Sequence, residues 1–411
     1  MQLNISQKSW VLYDMGNAAY ALIVRTVFAA LLFKYCADDA WGKENTTACW
    51  GYVCSAAGIA AGAVSIISGF FADRFCLKKH FLALFVFIGT AATAGLALMQ
   101  KGMAWGVLIL SFISLGCYMS ANSFYDSLLL SVAPKSFRDR LSSLAYACGY
   151  VGGVIPFLIC LGLSMAVKNK ILVMQLSFII AALWWLLLTF PMLKLVRERK
   201  TASGENGLSL NLAANFKELL KNRNVLLFLV AYFLYIDGVG TIYTMASPIA
   251  SDIGITTPQL LAVILGLQFL AFPCTLLYGT LSKRFHPRFL VLTAIGIYVL
   301  ISILALLLGL PCCREYRLHI FIILAVLIGT SQGGIQSLSR SLFSRIVPSR
   351  KAAEFFGFYN LFGKFTTIVG PLLIGAAAAL WGKAEFGITL LAVPFILGAV
   401  LLTRVDFRPV R

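Results

Sequence analysis

Long apolar runs, each broken by only a few polar positions, alternate with short polar and mostly basic segments along the whole chain. A helix needs about 20 mostly apolar residues to cross a bilayer. Runs of that order cover 10–35, 50–72, 80–99, 104–131, 141–166 and 171–193. They return at 224–247, 259–281, 289–310, 318–344, 352–380 and 385–403. The pattern predicts an all-α membrane protein of twelve transmembrane helices. The one sizeable connection is 194–223, which is basic, carries Ser203-Gly204-Glu205-Asn206-Gly207 and holds a short amphipathic run around Leu210 to Leu220. It reads as a linker with a surface helix between two six-helix bundles, 1–193 and 224–411. The remaining loops are too short to hide a soluble catalytic domain.

The second half is a worn copy of the first. Leu12-Tyr13-Asp14 returns as Leu234-Tyr235-Ile236-Asp237, one position longer. Gly69 with Arg74-Phe75 returns as Gly279 with Arg284-Phe285. Asp126-Ser127-Leu128 followed by Pro134 returns as Arg340-Ser341-Leu342 followed by Pro348, and at the same offset Gly149 falls on Gly363. Two parallel six-helix repeats are the plan of one large class of secondary transporters, which place the substrate site between the halves. The fifth span has Gly149, Gly152, Gly153 and Pro156, and the eleventh has Gly363, Gly370, Pro371 and Gly375. Small residues in matched places let helices pack closely, and they equally serve helices that flex.

Composition removes the soluble alternatives. Of 411 residues 60% are hydrophobic and 12% charged, with a mean hydropathy of +0.88; a soluble domain carries about 25% charged residues. A net charge of +18 could point to nucleic acid, but the basic residues concentrate in alternate loops, among them Lys78, Lys79, Lys135, Arg197, Arg284 and Arg350. The positive-inside rule then puts both termini and the central linker in the cytoplasm. No small-residue cleavage site follows the first span, so no removable signal peptide is expected. Cys36 and Cys49 flank the first outer loop and could form a disulfide if that face is oxidising. No metal-ligand spacing, Gly-rich nucleotide loop or nucleophile–base constellation is present, so neither a cofactor nor an enzyme is expected.

The segment Gly69-Phe70-Phe71-Ala72-Asp73-Arg74-Phe75-Cys76-Leu77-Lys78-Lys79 joins the second and third spans. It resembles the loop signature of the major facilitator superfamily, with Cys76 where the family usually has Gly. Longer stretches narrow the family: Trp10 to Tyr20, Ala231 to Val239, Gln268 to Pro273, Gly333 to Ser341, and Ala353 to Tyr359 followed by Gly363-Lys364 and Gly370-Pro371. Together they resemble the vacuole-effluxer branch, the family of the autophagy-related vacuolar amino-acid exporter and its bacterial relatives. The compact loops look bacterial, which implies a multi-pass protein of a bacterial inner membrane. The signature implies a latch. Asp73 can accept hydrogen bonds from a helix N-terminus in the other half, and Arg74 can pair with an acid such as Asp139. The second copy has Lys283 where the first has Asp73, so only the first half keeps the full latch.

Ionisable residues inside spans cost about 2.5–3.5 kcal/mol on insertion scales and call for a role. Asp14 and Arg25 fall about 20° past three full turns of one helix and about 16 Å apart along it, sharing a face with Asn17, Ala18 and Ala21. That face suits a cavity lining, although Asp14 could equally cap the cytoplasmic end of the span. Asp237 lies deeper, near Gly238, Gly240, Thr241 and Thr244, where glycines permit local unwinding around a substrate. Asn122 and Asp126 are four residues apart, and their copies Gln336 and Arg340 repeat the spacing. Opposite charges at equivalent positions read as a gating pair. Lys364 lies one turn after Asn360 and would seek a carboxylate such as Asp237 or a substrate acid.

The expectation is a monomeric secondary transporter in the lipid bilayer that works by alternating access. Its charges suit a zwitterion, with the carboxylate near Arg25 or Lys364 and the ammonium near Asp237, hence amino acids or related small metabolites. Efflux driven by protons through Asp237 or Asp14 is one form. A lipid, amphiphile or organic-anion transporter on the same fold, and a membrane sensor that transports nothing, are the alternatives.

Overall fold

The computed structural model describes residues 3–37, 43–198, 222–252, 254–255, 257–364 and 385–407. Every regular element among them is helical, as a bilayer demands, since a helix satisfies its own backbone groups where no water can. In chain order these are α1 (Ile5–Tyr20), a π-helix (Ala21–Phe28), α2 (Ala29–Cys36), α3 (Lys43–Phe75), α4 (Lys78–Leu96) and α5 (Ala104–Val132). Then come α6 (Arg138–Ala166), α7 (Lys170–Leu195), α8 (Arg223–Asp252), α9 (Thr257–Leu281) and α10 (Pro287–Leu304). The short α11 (Leu306–Gly309), α12 (Arg317–Ile346), α13 (Ala352–Lys364), α14 (Glu385–Leu390) and α15 (Ala392–Thr403) follow, and 3-10 turns at Lys135–Phe137, Pro311–Tyr316 and Ser349–Lys351 complete the set. Nine helices among the described residues are long and apolar enough to cross a membrane, and Gly387–Thr403 is a shorter apolar helix. The twelve predicted spans differ from this in three places, each with a local cause. The first is broken by the π-helix, the eleventh runs into residues outside those described, and the twelfth is short. The predicted surface helix around Leu210–Leu220 also lies outside the described residues.

Helix ends follow local chemistry. Asn4 and Gln7 form a capping box at the start of α1, the Asn4 side chain accepting from Gln7 N–H at 2.8 Å and the Gln7 side chain from Asn4 N–H at 3.1 Å. At α4 a distant acid supplies the cap. The Glu198 carboxylate accepts from the N–H groups of Lys78 (3.2 Å) and Lys79 (2.7 Å), a favourable place for negative charge.

Two compact units emerge from the packing. The first comprises Met1–Pro134, Cys148–Gly207 and Ser349–Leu361; the second comprises Lys135–Ala147, Leu208–Pro348 and Phe362–Arg411. Within the first, α4 packs on α5 and α7, α3 on α5, and α1 on α7. Within the second, α10 packs on α12 and α15, α9 on α12, and α8 on α15. These are the same pairings, repeat for repeat. The units nevertheless cut across the two sequence copies: the start of α6 groups with the second, and most of α13 with the first. All ten cysteines are unbridged, Cys36 and Cys49 included.

Candidate functional site

The loop after α3 reverses sharply. Cys76 takes φ 53, the one positive φ at a non-glycine residue among those described, in the left-handed region that glycine tolerates best. This turn brings Lys78 beside Asp73, with Lys78 Nζ 2.8 Å from Asp73 Oδ1. Asp73 Oδ2 accepts from the backbone N–H of Glu354 at 3.0 Å. Glu354 stands in the first turn of α13, where unpaired N–H groups and the helix dipole favour a carboxylate. Gly69, one turn before Asp73, makes room for this approach. A Cβ built there would lie 2.9 Å from the Ala353 carbonyl and the Glu354 nitrogen, closer than such atoms pack. Arg74 is exposed, its guanidinium 5.6 Å from the Phe75 ring centroid.

Lys283, the counterpart of Asp73, is a cation and cannot cap a helix N-terminus. The second unit holds its own borrowed segment, Lys135–Ala147, differently. Arg138 Nη1 donates to the Ser344 carbonyl at 2.7 Å, and Ser142 Oγ donates to the Ser337 carbonyl at 2.7 Å. Asp139 accepts from Ser341 and pairs with Arg345. Arg340 is 1% exposed; it donates to Ser142 Oγ at 2.9 Å and to the Ser142 carbonyl at 3.1 Å. Its guanidinium also lies 4.4 Å from the Tyr146 ring centroid, within cation–π range.

Deeper in the first unit, Asp14 and Asn17 are buried on α1. The α6 glycines explain how. A Cβ on Gly152 would sit 2.4 Å from Met15 Cβ, so α6 can lie this close to α1 only without a side chain there, while Gly149 leaves ordinary contact room beside Asp14. Arg25 is exposed at the middle of the π-helix and acts electrostatically on Tyr20, Tyr118 and Cys54. The i→i+5 bonding of that segment widens its turns, so the phase relation of Asp14 to Arg25 expected for a continuous α-helix does not carry through. Tyr20 stacks on Tyr118 at 4.6 Å, and both contact the Trp185 ring. Asp126 accepts from Asn360 Nδ2 at 3.1 Å within its own unit.

In the second unit Asp237 is 1% exposed and Thr241 fully buried. Gln336 is half-buried, and the Tyr235 hydroxyl meets Ser339 Oγ at 2.7 Å. The side chain of Lys364 lies outside the described residues. Sequence reasoning missed Tyr118, Ser142, Tyr146 and Arg345. The neutral aromatic and hydroxyl side chains among them look like packing, and Arg345 like one more basic residue at a helix end, until their neighbours give them chemistry.

The model of the family described as "Vacuole effluxer Atg22 like" matches residues 131–410. An uncharacterized MFS-type transporter, YxiO of Bacillus subtilis, is 38% identical over 408 residues, covering 96% of this chain and 94% of that protein. The chain belongs to the Atg22-like family of the major facilitator superfamily. Autophagy-related protein 22-2 of Aspergillus clavatus is 27% identical over 282 residues, 62% of this chain. This Atg22-like chain thus spans 46% of the length of that fungal relative. Among solved structures, the proton:xylose symporter XylE superposes with a TM-score of 0.77 at 14% identity, over 98% of this chain and 95% of that one. The transporter FucP, in its outward conformation, gives 0.73 at 14% identity over 98% of each. The Atg22-like chain therefore has the all-α major facilitator fold and is a multi-pass membrane transporter.

Proposed function

We propose that this protein is a secondary active exporter of amino acids or closely related zwitterionic metabolites in a bacterial cell membrane, working by alternating access. The observation that carries the reading is a set of opposite charges set into membrane helices: Asp237 and Asp14 buried, and Arg25 exposed at a π-helical turn. A π-turn within an α-helical span is frequently a functional site, and a buried membrane carboxylate is costly unless used. Arg25 serves the substrate carboxylate. We assign the coupling proton to Asp237, a carboxylate buried within a membrane helix. Efflux agrees with the family description.

The contact of Asp73 with the start of α13 acts as the gate on the basic face. It holds Ser349–Leu361 in the first unit, and its release lets that segment leave. The Asp139, Ser142 and Arg340 cluster does the same for Lys135–Ala147 in the second.

Counterflow in proteoliposomes tests the reading: purified protein is loaded with unlabelled amino acids and offered a radiolabelled panel, with and without a pH gradient. Saturable exchange of one group, responsive to the gradient, is expected. Exchange of organic anions or lipids alone would overturn the zwitterion assignment, and ligand binding without flux would overturn transport. Asp237→Asn with transport and pH dependence both intact would remove the proton from the mechanism.

A further inference from the structure

Two buried amide oxygens in the first unit have no hydrogen-bond partner: Oδ1 of Asn17 and Oδ1 of Asn122. Asn17 is 7% exposed, so water cannot freely satisfy it, and a buried acceptor left without a donor costs about 1–3 kcal/mol. Both stand beside carboxylates. Asn17 is three residues from Asp14 on α1, and Asn122 four residues from Asp126 on α5, spacings that put each pair on one helix face. The two faces converge. Asp14 and Asp126 each act electrostatically on both Tyr13 and Tyr118, and the Asn122 amide sits against the Tyr118 hydroxyl. The region is therefore rich in acceptor oxygens and negative charge, while Arg25 reaches Tyr118 as the nearby cation. A group that complements the two open amide oxygens must carry donors, and the carboxylates beside them favour one that is positive. An ammonium has three donors and no acceptor.

We infer that the first unit carries an ammonium subsite formed by the amide oxygens of Asn17 and Asn122 and the carboxylates of Asp14 and Asp126. It deepens the zwitterion reading and rests on it for the claim that this ammonium is the substrate's. Placing the ammonium here separates recognition from coupling, because Asp237 in the second unit is left for the proton. It also gives Asp126 two competing partners. The carboxylate that would receive the ammonium is the one that accepts from Asn360 on α13, the helix whose first turn Asp73 caps.

The test uses the purified full-length protein and n-butylammonium chloride, which offers the ammonium without a carboxylate. Thermal melting is followed by tryptophan fluorescence at constant ionic strength, with choline chloride as balance and sodium chloride as a parallel titration. The expected result is a saturable rise of the melting midpoint with butylammonium. In Asn17→Leu and Asn122→Leu, half-saturation should need at least about tenfold more, the loss of one hydrogen bond to a charged group. If a leucine variant does not fold, Asn17→Asp and Asn122→Asp keep the shape and add charge, and both should bind butylammonium more tightly. No saturable rise in the folded wild type, unchanged half-saturation in the variants, or an equal response to sodium would overturn the assignment. A butylammonium response in a protein that exchanges no amino acid would keep the subsite and refute only the claim that the ammonium is an amino-acid substrate's.

Discussion

Replacing Asp73 separates the proposed gate into its parts. Its carboxylate meets the Glu354 N–H at 3.0 Å and Lys78 Nζ at 2.8 Å and also takes a backbone hydrogen bond from Ala353, and both Asp73 and Lys78 are buried. Asp73→Ala removes them all. A hydrogen bond to a charged group is worth about 1.5–3 kcal/mol, and loss of a helix cap about 0.5–2 kcal/mol. The two figures describe overlapping losses, so about 1.5–3 kcal/mol bounds the weakening of the α13 contact. At 1.4 kcal/mol per decade this is roughly a 10- to 150-fold shift in the local opening equilibrium. Amide hydrogen exchange reads that equilibrium directly. A peptide covering 352–360 should exchange faster by that factor in Asp73→Ala, while peptides of α10 and α15 keep wild-type rates. Asp73→Asn retains an acceptor for the Glu354 N–H but leaves Lys78 without its ion pair, so its exchange should fall between the two. If the alanine variant is folded and its 352–360 peptide exchanges at the wild-type rate, the carboxylate does not hold α13 and the gating assignment fails.

Other outcomes follow from the same geometry. Gly152→Val overpacks the α6–α1 contact, where even a Cβ would meet Met15 at 2.4 Å; a loss of about 1–3 kcal/mol is expected, seen as a lower melting midpoint. Cys76→Gly relieves a positive φ and should stabilise the turn by up to about 1 kcal/mol, measured the same way. Arg340→Lys keeps the charge but not the planar fork that bonds Ser142 twice while lying over Tyr146; faster exchange across 138–147 is the readout. His286 accepts from Arg288 N–H through Nδ1. Burial, then Arg345 and Arg288, push its pKa below the usual 6.5 against the opposing pull of Asp139. The folded state thus binds fewer protons than the unfolded one. Its contribution is present above pH about 6.5 and fades as pH falls through the folded value. Wild type should therefore lose more melting temperature between pH 7.5 and 5.5 than His286→Gln, and an equal loss would refute it.

The sequence by itself determined the class of protein and much of its plan. Apolar length required membrane helices because the bilayer leaves a backbone no other way to satisfy its hydrogen bonds. The copied motifs announced the repeat that the matched helix pairings of the two units display. The loop signature put Asp73 among the residues to watch, since a carboxylate in that turn is positioned to meet a helix N-terminus. What sequence could not supply were the partners. Nothing in the spacing shows that Asp126 is held by Asn360, or that Arg340 lies over Tyr146 and bonds Ser142. A repeat preserves position, so equal offsets match Asp126 to Arg340, but offsets say nothing of the other side chains that each one meets. The π-helix was equally hidden: Ala21–Phe28 reads as part of one continuous α-helical span, and only the folded backbone shows its i→i+5 bonding. Tertiary structure decided these points because contacts more than 190 residues apart, such as Ser142 with Ser337, depend on how helices are brought together. Local hydrophobic pattern fixes each helix and leaves its neighbours open.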